Sequence, residues 1–173
     1  MVRTRGQVTL TCDRPMDVHT PSPVEALVTD PEALLTHGYR QARDITRMHG
    51  TTYYWGTLFL PPQQRRDVYG LYALCRLADD IVDEPDKATG HGLDASLPPG
   101  ERLAQFEQRF QADLAAGRSD DPLFAAIVDT ARRLDLDSGC YDRFFGAMQL
   151  DLVRTSWASW PQLRDEYMAV SYT

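Results

Sequence analysis

The chain has little of what would place it outside a reducing, aqueous compartment. Only three of its 173 residues are cysteine, Cys12, Cys75 and Cys140, and no motif pairs them. That argues against a disulfide framework or a structural zinc site and fits a cytoplasmic protein. No apolar run approaches the ~20 residues of a membrane span. The start, MVRTRGQVTLTCDRPMD, lacks the apolar core of a signal peptide. Basic charge is also short, with 18 Lys and Arg against 25 Asp and Glu and a net charge of −7. Such a balance argues against nucleic acid as a partner and against an electrostatic grip on anionic membranes. No stretch alternates with period two for long enough to make a strand, and no internal repeat stands out.

What is there is helical. Residues 1–29 mix Pro, Thr and charge and are expected to form a poorly ordered extension, with Met16 as an alternative start. Residues 30–173 are expected to form one all-α domain, long enough to bury about 70% of its unfolded surface. Asp30-Pro31-Glu32 has the pattern of an N-cap followed by proline at the first helical position. It opens a helix to about Met48, whose apolar side uses Leu34, Leu35, Tyr39, Ala42 and Ile45. A short apolar helix over 53–60 is stopped by Pro61-Pro62. The next runs over 62–84. Residues 85–100, PDKATGHGLDASLPPG, hold the densest Gly and Pro of the chain and read as a loop, either a lid or an ordinary connection. Three more helices are expected over 101–116, 121–134 and 141–154. The first places Leu103, Phe106, Phe110 and Leu114 near one face and stops at Gly117.

The helix over 62–84 carries the chemistry. At 3.6 residues per turn, Tyr72, Arg76, Asp79 and Asp83 fall within roughly 60° of one another, with Asp80 on the shoulder. Two carboxylates one turn apart, with Cβ atoms ~6 Å apart, repel by roughly 3 kcal/mol at an effective dielectric near 20. A divalent cation removes that cost, and magnesium takes one or two carboxylates, several waters and substrate phosphates. Arg76 is placed to contact a phosphate oxygen, and Tyr72 to donate a hydrogen bond or line the pocket. A solvated acidic helix end accounts for the same spacing. Against it stand Val68, Leu71, Tyr72, Cys75, Ala78 and Val82 on one side and Leu74, Leu77 and Ile81 on the rest, which predict a helix buried nearly all round.

Residues 49–85, HGTTYYWGTLFLPPQQRRDVYGLYALCRLADDIVDEP, resemble the first signature of the squalene/phytoene synthase family. The resemblance implies the N-terminal half of an isoprenoid synthase fold. It also implies a head-to-head prenyltransferase that joins two molecules of farnesyl or geranylgeranyl diphosphate through a cyclopropyl intermediate, with magnesium or manganese. By position, Asp79, Asp80 and Asp83 resemble the first metal ligands. Tyr72 and Arg76 resemble catalytic residues lining the diphosphate pocket, and His49 and Thr52 fall near the substrate phosphates. Tyr53, Tyr54, Phe59 and Leu71 are candidates to shield a carbocation. Because isoprenoid products are insoluble in water, a loose peripheral membrane association is a further expectation from the resemblance.

A second stretch, FFGAMQLDLVRTSWASWPQL over 144–163, resembles a later family helix. Its Asp151, among Phe144, Phe145, Met148 and Leu152, either faces the cavity or caps a partner helix. The family's second aspartate-rich motif has no counterpart here, since beyond Glu84 no two acidic residues stand four apart. Tyr167 and Met168 resemble the start of the next helix one residue late, and the family's catalytic tyrosine in that region has no assignable position. A truncated product, inactive alone, is therefore expected. A terpene cyclase and a non-catalytic half-domain or subunit are the alternatives.

Overall fold

The structure, a computed structural model, describes residues 30–86, 90–154, 156 and 158–164. The extension expected over 1–29 and the tail with Tyr167 and Met168 lie outside the described residues. Among the described residues seven helices follow one another: α1 Pro31–His49, α2 Thr51–Thr57, α3 Pro62–Asp83, α4 Pro99–Ala116, α5 Pro122–Leu134, α6 Ser138–Val153 and α7 Trp160–Leu163. No strand occurs among the described residues, and the only pairing of that kind is an isolated bridge between Gly90 and Leu93.

Local chemistry sets the helix ends. The Asp30 carboxylate accepts from the Glu32 amide at 3.0 Å and opens α1, with Pro31 in the first turn. Asp121 does the same for α5 through the Phe124 amide at 3.0 Å. The short α2 begins and ends earlier than expected. The Arg65 guanidinium accounts for the early end, because it donates to the carbonyls of Thr57, Leu58 and Leu60 at 3.1–3.2 Å and holds residues 57–60 as a turn.

Helix α3 lies at the centre, against α1, α4, α5 and α6. Its buried stripe is Tyr69, Gly70, Ala73, Leu74, Ala78 and Ile81. The expectation of a helix buried nearly all round is corrected here. Leu77 and Val82 are half-buried against the core, and the half-buried Leu71 and Tyr72 with the exposed Cys75 lie on the side that the neighbouring helices leave partly open. Gly70 permits a close approach of α3 to α5, where an added Cβ would lie 2.2 Å from the Thr130 hydroxyl.

The core is aromatic. Phe106, Phe110, Phe124 and Phe145 are fully buried, and Phe106 meets Phe124 and Phe145 edge-on at 5.4 and 5.5 Å. A polar lock joins α1, α3 and α5. The Tyr39 hydroxyl donates to Asp129 at 2.7 Å and accepts from Arg133 at 2.8 Å, and Arg133 also pairs with Asp67 at 2.6 Å. Burial pushes the Tyr39 hydroxyl up to about 12, so it keeps its proton throughout the working range of pH.

Residues 90–98 are fastened rather than free. Arg102, 4% exposed, donates to the carbonyls of Pro85, Ala95 and Leu97 at 2.5–3.0 Å. Arg109 donates to the His91 carbonyl at 2.6 Å, and the His91 ring meets Asp121 at 3.0 Å. This fastening counts against a lid over that part of the loop.

Candidate metal and diphosphate site

The uncovered side of α3 brings together Tyr72, Arg76, Asp79 and Asp83, as helical spacing requires. Asp79 is half-buried and Asp83 exposed. Burial first, then the charge of Asp83, holds the Asp79 carboxyl above the ordinary carboxylate range, and Arg76 offsets part of this. Asp151, on the α6 helix that packs against α3, adds a smaller like-charge contribution to the same upward shift.

Asp80 is placed differently. It forms an ion pair with Arg76 one turn back, and Arg76 also lies 3.7 Å from Glu84. Among the described residues no three His, Cys, Asp or Glu side chains converge into a metal-holding group. Asp79, Asp80 and Asp83 therefore do not form a three-ligand cage on their own. Asp79 and Asp83 remain as an oxygen pair one turn apart, which suits a hard divalent cation that completes its shell with water and phosphate.

Arg76 carries a second mark of an anion site. Its Nε is buried and has no hydrogen-bond partner among the described residues, although the other end of the guanidinium is engaged by Asp80. A buried donor left unmet costs ~1–3 kcal/mol, and an acceptor oxygen from a ligand recovers it.

Tyr72 stands between α3 and the start of α2. Burial raises its hydroxyl above the usual tyrosine value, and its ring lies 5.9 Å from that of Tyr53 in a tilted contact. Gly50 lies directly on this ring. A Cβ there would sit 2.7 Å from Tyr72 Cζ, so only glycine lets the α1–α2 junction come this close. His49 and Thr52 flank the junction and are both exposed, and neither bonds to Tyr72, Arg76 or the carboxylates among the described residues. Gly50 escaped the sequence reading, although its place between two candidate phosphate residues was a signal. The candidate apolar wall is divided: Tyr54 stacks on Tyr69 at 6.2 Å as core, Leu71 is half-buried, and Tyr53 and Phe59 are 67% and 91% exposed.

The squalene/phytoene synthase family model matches residues 46–171, which include all of α2 to α7. The chain belongs to the squalene/phytoene synthase family. It is 31% identical over 133 residues to a 15-cis-phytoene synthase of Synechocystis sp., covering 77% of this chain and 37% of that protein. A 15-cis-phytoene synthase of Synechococcus elongatus is 30% identical over 131 residues, 76% of this chain and 40% of the relative. Phytoene synthase 1, chloroplastic, of Arabidopsis thaliana is 27% identical over 147 residues, 85% and 33% respectively. The chain thus spans a third to two fifths of the length of these relatives. Its all-α architecture is that of the family's isoprenoid synthase fold. No helix among the described residues is long and apolar enough to cross a membrane.

Proposed function

We propose that this chain supplies one wall of a head-to-head prenyltransferase site that joins two prenyl diphosphates to a phytoene-type product. The observation that carries the reading is the Tyr72–Arg76–Asp79–Asp83 face, with its raised carboxyl and unmet Arg76 Nε, in a chain of this family. Asp79 and Asp83 are the residues that hold the metal. Magnesium, or manganese, supplies neutralising charge to a departing diphosphate when bound. Arg76 donates to a phosphate oxygen from its Nε, and the raised Tyr72 hydroxyl stays protonated and donates beside it. His49 and Thr52, exposed at the junction next to Tyr72, are within the same corner and bind the outer phosphate oxygens. Leu71 and Val82 flank the acids and keep water from the allylic carbon.

With two carboxylates one turn apart rather than a full ligand set among the described residues, the isolated 173-residue chain binds prenyl diphosphate but does not couple it. The same observation favours a second reading, a subunit whose site is completed by another polypeptide. Titration of the chain with geranylgeranyl diphosphate tests the site. Heat should appear with Mg2+ and vanish with EDTA or in Asp79→Asn/Asp83→Asn, and metal-independent binding sinks the assignment. Radiolabelled coupling product from the chain alone would refute the inactivity.

A loose association with membranes is part of the same proposal. Tyr53, Trp55 and Phe59, 61–91% exposed on and just after α2, form an aromatic patch suited to a bilayer interface. Co-sedimentation with neutral vesicles that persists in Trp55→Ala/Phe59→Ala would refute this surface. Cytoplasmic residence is supported by Cys75 and Cys140, both free and exposed.

A further inference from the structure

A second corner of the molecule has the make-up of an anion site. Where the first turns of α1 meet the turn between α4 and α5, the surface opens into a cavity of about 410 Å3 that shares no residue with the acidic face of α3. Pro31, Leu34, Leu35 and Ala125 make its apolar part. Arg118, Arg132 and Arg133 line much of the remainder, beside Gly117 and Ser119, with Asp129 as the one carboxylate. In a chain of net charge −7 this is a local excess of positive charge.

The three guanidinium groups are not equivalent. Arg133 is taken up by Asp67 at 2.6 Å and Asp129 at 3.4 Å. Arg132 donates to the Gly117 carbonyl at 3.1 Å, which fixes its direction without neutralising it. Neither Arg132 nor Arg118 pairs with a carboxylate among the described residues. Two uncompensated cations thus border an apolar pocket of the size that takes small ligands. A dianion balances both, whereas a carboxylate would leave one unpaired. The guanidinium fork also matches phosphate geometry, and a group already held in place loses little freedom on binding.

We infer that this corner binds an organic phosphate monoester, its phosphate on Arg118 and Arg132 and its carbon chain against Leu34 and Leu35. The site is independent of metal and of the acidic face.

Titration calorimetry of the 173-residue chain in EDTA, which silences metal-dependent binding on α3, tests this with octyl phosphate as probe. The expected result is saturable binding of one molecule per chain, about tenfold or more tighter than inorganic phosphate, octanoate or octanol. Arg118→Ala/Arg132→Ala should weaken it by about tenfold or more, and Asp79→Asn/Asp83→Asn should leave it unchanged. Leu35→Glu, which closes the apolar side and keeps both arginines, provides a second variant if the first loses its native circular dichroism. Absence of saturable binding overturns the proposal, as does equal affinity for inorganic phosphate. Indifference to both the arginine and the Leu35 changes, or loss in the Asp79/Asp83 variant, overturns it equally.

Discussion

Asp83 stands one turn beyond Asp79 on the uncovered side of α3, and its charge adds to burial in holding the Asp79 carboxyl above the ordinary range. A carboxyl raised in the folded state destabilises the fold when ionised. The penalty is absent below the ordinary Asp value of about 3.9 and complete above the raised folded value. Asp83→Asn should therefore stabilise the metal-free chain at pH 7 by about 0.2–0.5 kcal/mol, the cost of a like-charged pair at this spacing. That corresponds to roughly 1 °C in Tm, and calorimetry should find the gain gone near pH 3. A variant that is less stable than the parent at pH 7 would contradict the repulsion.

Gly50 should tolerate no side chain while Tyr72 is present. Gly50→Ala places a methyl against the ring and should cost ~1–3 kcal/mol, the usual range for overpacking. In a double-mutant cycle with Tyr72→Ala, most of that cost should disappear, because the atoms it collides with are gone. Additive losses in urea unfolding would mean that the contact is not the cause.

Arg102→Met should uncouple residues 90–98 from α4. Three carbonyls lose a charged donor, so the loss should be about 3 kcal/mol or more, and Lys should fail to restore it because a single ammonium cannot reproduce the fork. Hydrogen exchange at the amides of 93–97 should accelerate before that of α4. Unchanged exchange would show that the loop is held by something else.

Asp121 ties the loop to α5 in a second way. Burial pushes its carboxyl upward, but hydrogen bonds from His91 and from the Phe124 amide outweigh it and leave the value below normal. A depressed folded value means stability that is present above about 3.9 and lost as pH falls through the folded value. Asp121→Ala should cost ~0.5–2 kcal/mol at pH 7 as a lost N-cap. The difference from the parent should shrink in acid unfolding below pH ~3.9. A difference constant down to pH 2 would refute the ionic part.

The sequence carried the helices where local rules act alone. Asp30-Pro31, Asp121-Pro122 and Gly117 mark ends by their own chemistry, and the 3.6-residue spacing put Phe106 and Phe110 on one buried face. The spacing of Tyr72, Arg76, Asp79 and Asp83 was equally legible, since a helix forces it. Legibility failed where one side chain acts at a distance. Arg65 shortens α2 from the next helix, and the ion pair of Arg76 with Asp80 was not read from the spacing. The degree of burial around α3 also escaped, because apolar residues on every side do not say which side meets a partner.

Arg102 reaches the loop after the acidic helix through main-chain oxygens of Pro85, Ala95 and Leu97. The side chains of Ala95 and Leu97 can consequently be exchanged without losing these bonds, while those of His91 and Asp94 carry contacts of their own. What looks like filler over 93–98 acts as a spacer of set length, and its tolerance at Ala95 and Leu97 should be to exchange of letters, not to their insertion or removal.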